Sequence, residues 1–390
     1  MRFFVLYHLY FQQKKTSFVS RTLIIIENMS LKQAFFILLL GISLFSCKKY
    51  NKNEELINTS ELKVRTLIDT IGFTQYKWQL DSIISRMPSE DKKGSDQIYK
   101  AVICPHDDYS YAGGLYNKTL AGIKAKTIVL IGVAHRARNF TLENKLVFGT
   151  FDTWQSTNGN VTVSTFRDRL IRKLPSETYI VHDSMMQLEH SMEAIVPFLQ
   201  KNKQEVSIIP LLVPYITFEN MGLFSEIVAK SLRDIMKEEN LQYGRDIAIV
   251  ISNDAIHYGD EDWGSSNLAP FGVDSLGNEK ARQKDLKIIE QCLKGELNNE
   301  KIEIFNHYTV QEENYKEYKW TWCGRYSVPF GLLVANKLNN LIEHRSLSGK
   351  MIDYRSSYHN RHIKVEDLGM GTTAPANNRH WVGYVGLGYQ

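Results

Sequence analysis

Hydrophobic residues form short, nearly uninterrupted runs along most of this 390-residue chain. The runs Ala101–Cys104, Thr127–Val133, 206–213 and 247–251 are apolar at almost every position and rich in β-branched residues. Runs of this length and composition are typical of strands that are covered on both faces of a sheet. A further run at 381–385 predicts a last strand.

Stretches with apolar residues three or four positions apart separate these runs and predict helices. The predicted helices cover 115–125, 165–174, 189–201, 220–239, 279–293 and 326–341. Residues 56–98 also look mostly helical and polar, and no repeat or low-complexity linker divides the chain. Alternation of strands and helices predicts an α/β fold. We expect a single domain, residues 61–390, with a central mixed, largely parallel sheet covered by helices on both faces.

The N-terminal segment has the layout of a bacterial lipoprotein signal peptide. In residues 29–47 one lysine precedes an apolar run at 34–45, and the segment ends in Leu-Phe-Ser-Cys. Cys47 would then be acylated and become the mature N-terminus, with 48–60 as a polar tether and 1–28 as a start-site extension. The alternative is an uncleaved signal anchor, although the apolar run is shorter than the ~20 residues that span a bilayer comfortably. We expect an exported lipoprotein, anchored to a membrane through Cys47 in the periplasm or at the cell surface.

Charge and cysteine content narrow the classes of function. The net charge is only +4, and the 47 Lys and Arg residues are scattered rather than interleaved with aromatic residues. Nucleic acid is therefore not an expected partner. Of the four cysteines, Cys47 would carry lipid, which leaves Cys104, Cys292 and Cys323. An odd number in an oxidising compartment requires a use other than disulfides for at least one of them.

Three of the predicted strands are followed within a few residues by histidine. His106 follows the first run, His135 follows the second, and Asp254 and His257 follow the fourth. In open α/β sheets the ligand site lies beyond the carboxyl ends of the strands. One histidine in such a place is usually only a polar loop residue. Three at one edge of the sheet predict a common site.

Two other segments carry candidate chemistry. Glu189, His190 and Glu193 open one predicted helix, where glutamates four residues apart would share a face. The alternative is an acidic first turn that suits the helix dipole. Cys323 directly precedes another predicted helix, and a thiol near a helix N-terminus has a lowered pKa. Cys323 is thus a candidate thiolate ligand or nucleophile, and the alternative is a small buried hydrophobic residue.

Five motifs in order make a family resemblance specific. They are PHxxYxYxGG at 105–114, GxxH at 132–135, EHSxE at 189–193, SxDxxHYG at 252–259 and CGR at 323–325. Together they resemble the Memo-like family, known in bacteria as AmmeMemoRadiSam system protein B, over roughly residues 99–390. That family shares its fold with class III extradiol ring-cleaving dioxygenases. Each motif alone is weak, and the specificity comes from their order and spacing.

The resemblance implies a metal site and a catalytic pocket. The metal ligands that it implies are His106, His135 and Cys323. The residues that it places beside the metal are His257 as the acid/base group, with Asp254 and His190 lining the same pocket. Asp254 precedes His257 by three residues, so in a turn it would orient the imidazole and raise its pKa. The alternative is that Asp254 and His257 only cap a loop together. Two imidazoles and one thiolate leave open positions for water, dioxygen or substrate, as in non-haem iron(II) sites, and the soft thiolate also favours copper.

The chain departs from the family pattern near the first histidine. Asp107 and Asp108 stand where the family commonly has Ala-Gly, which adds negative charge beside the site. Cys104 precedes His106 by two residues, so the two would point to the same face of a strand. A disulfide between Cys104 and Cys323 would destroy the ligand set, and the sequence leaves that pairing open.

The expected function is that of a metal-dependent oxidoreductase. Iron(II) or copper would act on an unknown small-molecule or peptide substrate, with His257 moving protons. Two alternatives stay open: a non-catalytic module that holds a peptide or small ligand in the same cleft, and metal sequestration at the cell surface. The family also implies a functional link to a radical-SAM protein. Fold alone cannot choose among these functions, because one fold hosts many chemistries.

Overall fold

Thirteen strands form one mixed sheet in the computed structural model, which describes residues 61–202, 205–264 and 267–390. The described residues belong to one unit, Glu61–Gln390. The predicted start-site extension, signal peptide and tether lie outside the described residues.

The central strands follow the predicted apolar runs, and shorter strands extend the sheet. Their bounds are β1 (Val64–Arg65), β2 (Ala101–Cys104), β3 (Thr127–Val133), β4 (Leu146–Phe148), β5 (Thr153–Trp154), β6 (Val161–Val163), β7 (Tyr179–Val181), β8 (Ser207–Val213), β9 (Ile247–Ser252), β10 (His257–Gly259), β11 (Gly295–Glu296), β12 (Ser348–Ser356) and β13 (His380–Tyr389). The order of neighbours is β1-β5-β6-β8-β3-β9-β2-β13-β12-β11; β10 pairs with β13, and β4 pairs with β7 and β8. Strands β8, β3, β9 and β2 are mutually parallel. The predicted mixed, largely parallel sheet is confirmed.

Ten α-helices occur in the described residues. Their bounds are α1 (Lys77–Arg86), α2 (Ser89–Lys92), α3 (Tyr109–Leu120), α4 (Phe166–Lys173), α5 (Asp183–Leu188), α6 (Val196–Asn202), α7 (Phe218–Glu238), α8 (Ser275–Ile288), α9 (Asn299–Thr309) and α10 (Ser327–Glu343). Most match the predicted segments, but the predicted helix at 189–201 is wrong over its first half, which is irregular. No helix in the described ranges has both the length and the apolar character needed to cross a membrane.

Both faces of the sheet are covered, because successive side chains of each central strand point to opposite sides. On one face Ile103 packs in an apolar cluster with Phe224 of α7 and residues of α10. On the other face Val102 joins Leu115 of α3 and Phe198 of α6. Burial of each such side chain contributes roughly 1.5–3 kcal/mol. These two cores fix the central strands, and therefore the loops that follow them.

The C-terminal strand β13 lies inside the sheet rather than at its edge. It is antiparallel to β2 on one side, with Leu387 opposite Ile103, and to β12 on the other. Near its start it also pairs with β10, where Val382 lies opposite His257. The start of β13 and the end of β2 therefore lie at the same edge of the sheet.

Candidate metal centre

The carboxyl ends of β2, β3 and β9 bring the predicted site residues to one edge of the sheet. A cavity of about 370 Å³ opens there. It is lined by five of the six predicted site residues, which are His106, His135, His190, Asp254 and His257. The sixth, Cys323, lies directly behind His106, with Sγ 3.3 Å from its Nε2. The three histidines that follow predicted strands thus lie together at this cavity.

His106 is fully enclosed and its tautomer is fixed by serine. Its Nδ1 lies 2.7 Å from the hydroxyl of Ser252, which in turn donates to the carbonyl of Ser191. Because a serine hydroxyl has one proton, Nδ1 of His106 must be the donor, and Nε2 keeps its lone pair. That Nε2 lies 3.3 Å from both Cys323 Sγ and Asp254 Oδ2. His106 therefore presents a ligand nitrogen to a thiol and a carboxyl.

His135 is oriented in the same way by Glu189. Glu189 accepts the backbone N–H of His135 at 2.8 Å and its Nδ1–H at 2.9 Å. Burial alone would raise the pKa of the Glu189 carboxyl, but His135 and His190 lower it to about 2. A carboxylate behind an imidazole is the usual arrangement around metal-binding histidines, because it fixes the ring and raises its basicity. Nε2 of His135 is left for a ligand.

Two overlapping groups of side chains have ligand atoms within 4.8 Å of one another. One group contains His106, His135 and His190, and the other contains His106, Asp254 and Cys323. His106 belongs to both groups, with His135 in one and Cys323 in the other, and no group among the described residues contains all three predicted ligands. The ring of His190 stacks on that of His135 with centroids 4.7 Å apart. His190 and Asp254 are therefore close enough to act as ligands themselves.

Cys323 lies in the turn before α10, and the predicted lowering of its pKa is wrong. Burial, followed by the negative charge of Asp254, raises the pKa of the Cys323 thiol well above its usual value. The helix begins only at Ser327, too far along the turn to compensate. A cation beside His106 would supply the opposite charge that a thiolate needs.

The disulfide between Cys104 and Cys323 that the sequence left open does not form in the structure. Cys104, Cys292 and Cys323 are all buried and all free. The thiol of Cys323 interacts instead with the backbone of Asp254, accepting its N–H at 3.0 Å. The Cys323 sulfur thus remains available as a ligand.

His257 lines the cavity from β10, but Asp254 does not orient it as predicted. The Asp254 carboxyl accepts the backbone N–H of His106 instead, at 2.9 Å. Burial, followed by His135 and His380, lowers the pKa of His257 to about 3, opposite to the predicted rise. Its Nε2 has no hydrogen-bond partner among the described residues. His257 is thus a neutral ring with an unsatisfied nitrogen at the cavity.

The two glutamates of EHSxE do not share a helical face, because residues 189–195 are not helical. They bind different partners. Glu193 forms a buried ion pair with Arg65 at 2.6 Å and accepts the backbone N–H groups of Ile68 and Asp69 at about 3.0 Å. Arg65 also donates to the carbonyl of Glu189. Glu189 therefore orients His135. Glu193 instead holds the segment that contains Asp69 against the cavity wall.

Sequence reasoning missed several lining residues, among them Asp69, Trp263 and His380. His380 is only 3% exposed, its Nδ1 donates to the carbonyl of Glu261 at 3.0 Å, and its ring stacks on Trp263 at 3.5 Å. The Nε2 of His380 has no partner in the part of the chain that the structure describes. The available signal was its position, one residue before the predicted last strand.

Asp107 and Asp108, the departure from the family pattern, both line the cavity. Asp107 accepts from the Tyr384 hydroxyl and from the backbone N–H of Asp108. Asp108 accepts the backbone N–H of Thr373 at 2.6 Å. Burial, followed by the charge of Asp107, raises the pKa of Asp108 to about 8. The pair places two carboxyl groups on one side of the cavity, and with a pKa of about 8 the Asp108 carboxyl is mostly protonated at pH 7.

Sequence comparisons relate the chain to known proteins. The family profile described as Memo-like protein matches residues 73–373. A MEMO1 family protein of Pyrococcus furiosus is 25% identical over 279 residues, covering 68% of this chain and 83% of that protein. A MEMO1 family protein of Pyrococcus horikoshii is 24% identical over 289 residues, covering 71% and 88%. One from Thermococcus kodakarensis is 27% identical over 228 residues, covering 55% and 72%.

Proposed function

Because residues 73–373 match its profile, the chain belongs to the Memo-like protein family, and we propose that it is a metal-dependent oxidoreductase. The observation that supports this proposal most strongly is the hydrogen bonding of two histidine rings. His106 and His135 each have Nδ1 engaged, by Ser252 and Glu189, so that each keeps Nε2 for a metal. Cys323 lies within reach of the first of them.

The donor set fits iron(II) or copper. Imidazole suits both metals, and a thiolate favours the softer copper. His106, His135 and Cys323 would hold the ion, and His190 and Asp254 are near enough to add a ligand. When bound, the ion would supply a redox centre with open positions for dioxygen or substrate.

His257 would hold or move a proton beside that centre. Its Nε2 has no partner among the described residues, and its lowered pKa leaves the ring neutral near pH 7. A neutral imidazole can accept a proton from a group within hydrogen-bond reach. Asp254 would position His106, whose backbone N–H it accepts, rather than His257.

A second candidate function is a non-catalytic module that holds a small ligand in the same cleft. The cavity itself favours it, since about 370 Å³ falls within the range of small-ligand sites, ~300–1,000 Å³. Phe73 and Trp263 give that cavity aromatic walls. This candidate needs neither a redox metal nor proton transfer by His257.

Metal analysis of protein purified without oxygen tests the proposal. We expect stoichiometric iron or copper in the wild type and its loss in His106→Ala and His135→Ala. His257→Ala should keep the metal. The matched control is His307→Ala, which removes an exposed histidine of α9 that does not line the cavity. A wild type without iron or copper, from cells supplied with both, would contradict the proposal.

Turnover then separates the enzyme from the binding module. Loss of a general acid or base typically lowers the rate ~10²–10⁴-fold, so His257→Ala should lose activity while it keeps its metal. If His257→Ala and His135→Ala lose metal equally, His257 is a ligand. If His257→Ala keeps both metal and every activity of the wild type, the binding module is favoured.

A further inference from the structure

The charge of the cavity wall restricts what the cavity can bind. Five of its lining residues are aspartates and five are histidines, whereas none of the described lining residues is lysine or arginine. Arg136 follows His135 in the chain but does not line the cavity. A carboxylate or phosphate ligand would therefore find no lysine or arginine in the wall, and it would face several carboxyl groups.

Two of these carboxyl groups have free oxygens. Asp69 uses Oδ1 to accept the backbone N–H groups of Ile71 and Gly72, both at 2.8 Å. Its Oδ2 accepts no hydrogen bond from any described residue. Asp262 lies exposed at the rim of the cavity, and it has no hydrogen-bond partner in the described ranges either. Both acids can accept hydrogen bonds from a ligand without breaking a bond within the protein.

A buried acceptor faces the same cavity. The Nδ1 of His380 donates to the carbonyl of Glu261, so its unpartnered Nε2 carries a lone pair. His380 is 97% buried, since only 3% of it is exposed. A buried acceptor without a donor costs free energy, which a ligand N–H would recover. The Nε2 of His380 can therefore accept a hydrogen bond from a ligand, as the free carboxylate oxygens of Asp69 and Asp262 can.

From these contacts, and resting on the metal-dependent function proposed above, we propose that the cavity binds a small organic ammonium compound. Its ammonium group lies among Asp69, Asp262 and the Nε2 of His380, and its apolar part lies against Phe73 and Trp263. The cavity of about 370 Å³ suits a ligand the size of a phenylalkyl amine. The face of an indole also attracts cations.

An inorganic cation fits this acidic side less well. Magnesium and calcium need several oxygen ligands at 2.0–2.6 Å around one point. Among the described residues, the groups whose ligand atoms lie within 4.8 Å of one another do not include Asp69, Asp107 or Asp108. An ammonium group needs no such convergence, because its N–H donors diverge.

Isothermal titration of one pair of ligands tests the proposal. Phenethylamine and 3-phenylpropionate share the aromatic ring and are similar in length, but they carry opposite charges at pH 7. The full chain is titrated twice, after metal loading and after treatment with chelator. We expect the amine to bind at least roughly tenfold more tightly than the acid in both forms.

Asp69→Asn is the informative variant. Asparagine retains Oδ1 for the backbone N–H groups and removes only the charge. Amine binding should weaken roughly three- to tenfold, as for a half-exposed ion pair, and acid binding should not weaken. Asp234→Asn is the matched control, because it removes the charge of a half-exposed acid of α7 that does not line the cavity. His380→Phe, which preserves stacking on Trp263, should also weaken amine binding.

Three results would overturn the inference. These are equal affinity for amine and acid, the same amine affinity in Asp69→Asn and the wild type, and displacement of the amine by magnesium at constant ionic strength. The two proposals fail separately. A chain that holds iron or copper but shows no amine preference refutes only the ligand class. A metal-free chain that keeps the amine preference refutes only the oxidoreductase.

Discussion

Replacing Asp285 with asparagine should remove a pH dependence from the stability of the fold. Asp285 lies on α8, is fully buried, and accepts four hydrogen bonds. Trp320 and Trp322 donate their indole N–H groups to Oδ1 at 2.9 and 2.6 Å. The Tyr354 hydroxyl and the Ile256 backbone N–H donate to Oδ2 at 2.9 and 3.2 Å. One carboxyl thus fixes the neighbours of both Cys323 and His257.

The magnitude follows from the pKa of Asp285. Burial raises that pKa to about 6 from an ordinary 3.8, although the four hydrogen bonds lower it. An acid whose pKa is raised by folding stabilises the fold fully below its unfolded pKa, and this contribution is lost as the pH rises through the folded pKa. Between pH 7.5 and pH 5 the wild type should therefore gain about 1 kcal/mol from Asp285. Asparagine gains nothing.

The absolute stabilities at pH 7.5 should be similar. Asparagine has one acceptor oxygen, so at least one buried donor loses its partner, at a cost of about 1–3 kcal/mol. The variant no longer buries a charge, which offsets that cost: the raised pKa of Asp285 corresponds to about 3 kcal/mol at this pH. The pH slope is thus the sharper measurement.

Urea unfolding at pH 7.5, 6.0 and 5.0, followed by circular dichroism, measures this slope. The wild type should gain stability relative to Asp285→Asn as the pH falls, and most of the gain should appear below pH 6. Asp234→Asn, which changes a half-exposed acid, should follow the wild type. Parallel pH curves for the wild type and Asp285→Asn would refute the reasoning, because they would mean that folding does not raise the pKa of Asp285.

Three further changes probe other parts of the molecule. Glu189→Gln weakens the hold on His135 and should lower metal affinity roughly 10–100-fold in chelator competition; unchanged affinity would contradict the orienting role. Arg65→Met leaves Glu193 charged and unpaired, and should cost about 3–5 kcal/mol in urea unfolding; a loss below about 1 kcal/mol would count against a buried ion pair. Cys47→Ala should abolish acyl labelling of the chain, and equal labelling of variant and wild type would refute lipidation.

The sequence predicted the centre of the sheet better than its periphery. Strands β2, β3, β8 and β9 are buried on both faces, so nearly every residue had to be apolar, and their bounds were predictable. Strands such as β1, β5 and β11 have two residues each. Their pairing depends on distant partners, such as Val64 opposite Thr153, and no local period reveals it.

The site was predictable in so far as it follows parallel strands. His106 and His135 follow β2 and β3, and strand order alone brings their loops together. Its place before a predicted helix made Cys323 a candidate ligand or nucleophile, but only family resemblance joined it to the two histidines. Its turn packs against Asp254 through contacts that no local pattern encodes. His380 and Asp69 were missed for the same reason. His380 lies at the cavity because β13 pairs with β10. Asp69 lies there because the Arg65–Glu193 ion pair holds its segment in place.

The interior position of β13 imposes a sequence of events on biosynthesis. A ribosome completes β2 early, yet its antiparallel neighbour emerges only after almost the whole domain has been translated. Until then the backbone N–H and C=O groups on that side of β2 have no partner, and such an edge can recruit strands from other chains. Pairings between distant segments also form slowly. Nascent chains are therefore most prone to aggregate before the final hairpin of β12 and β13 closes the gap.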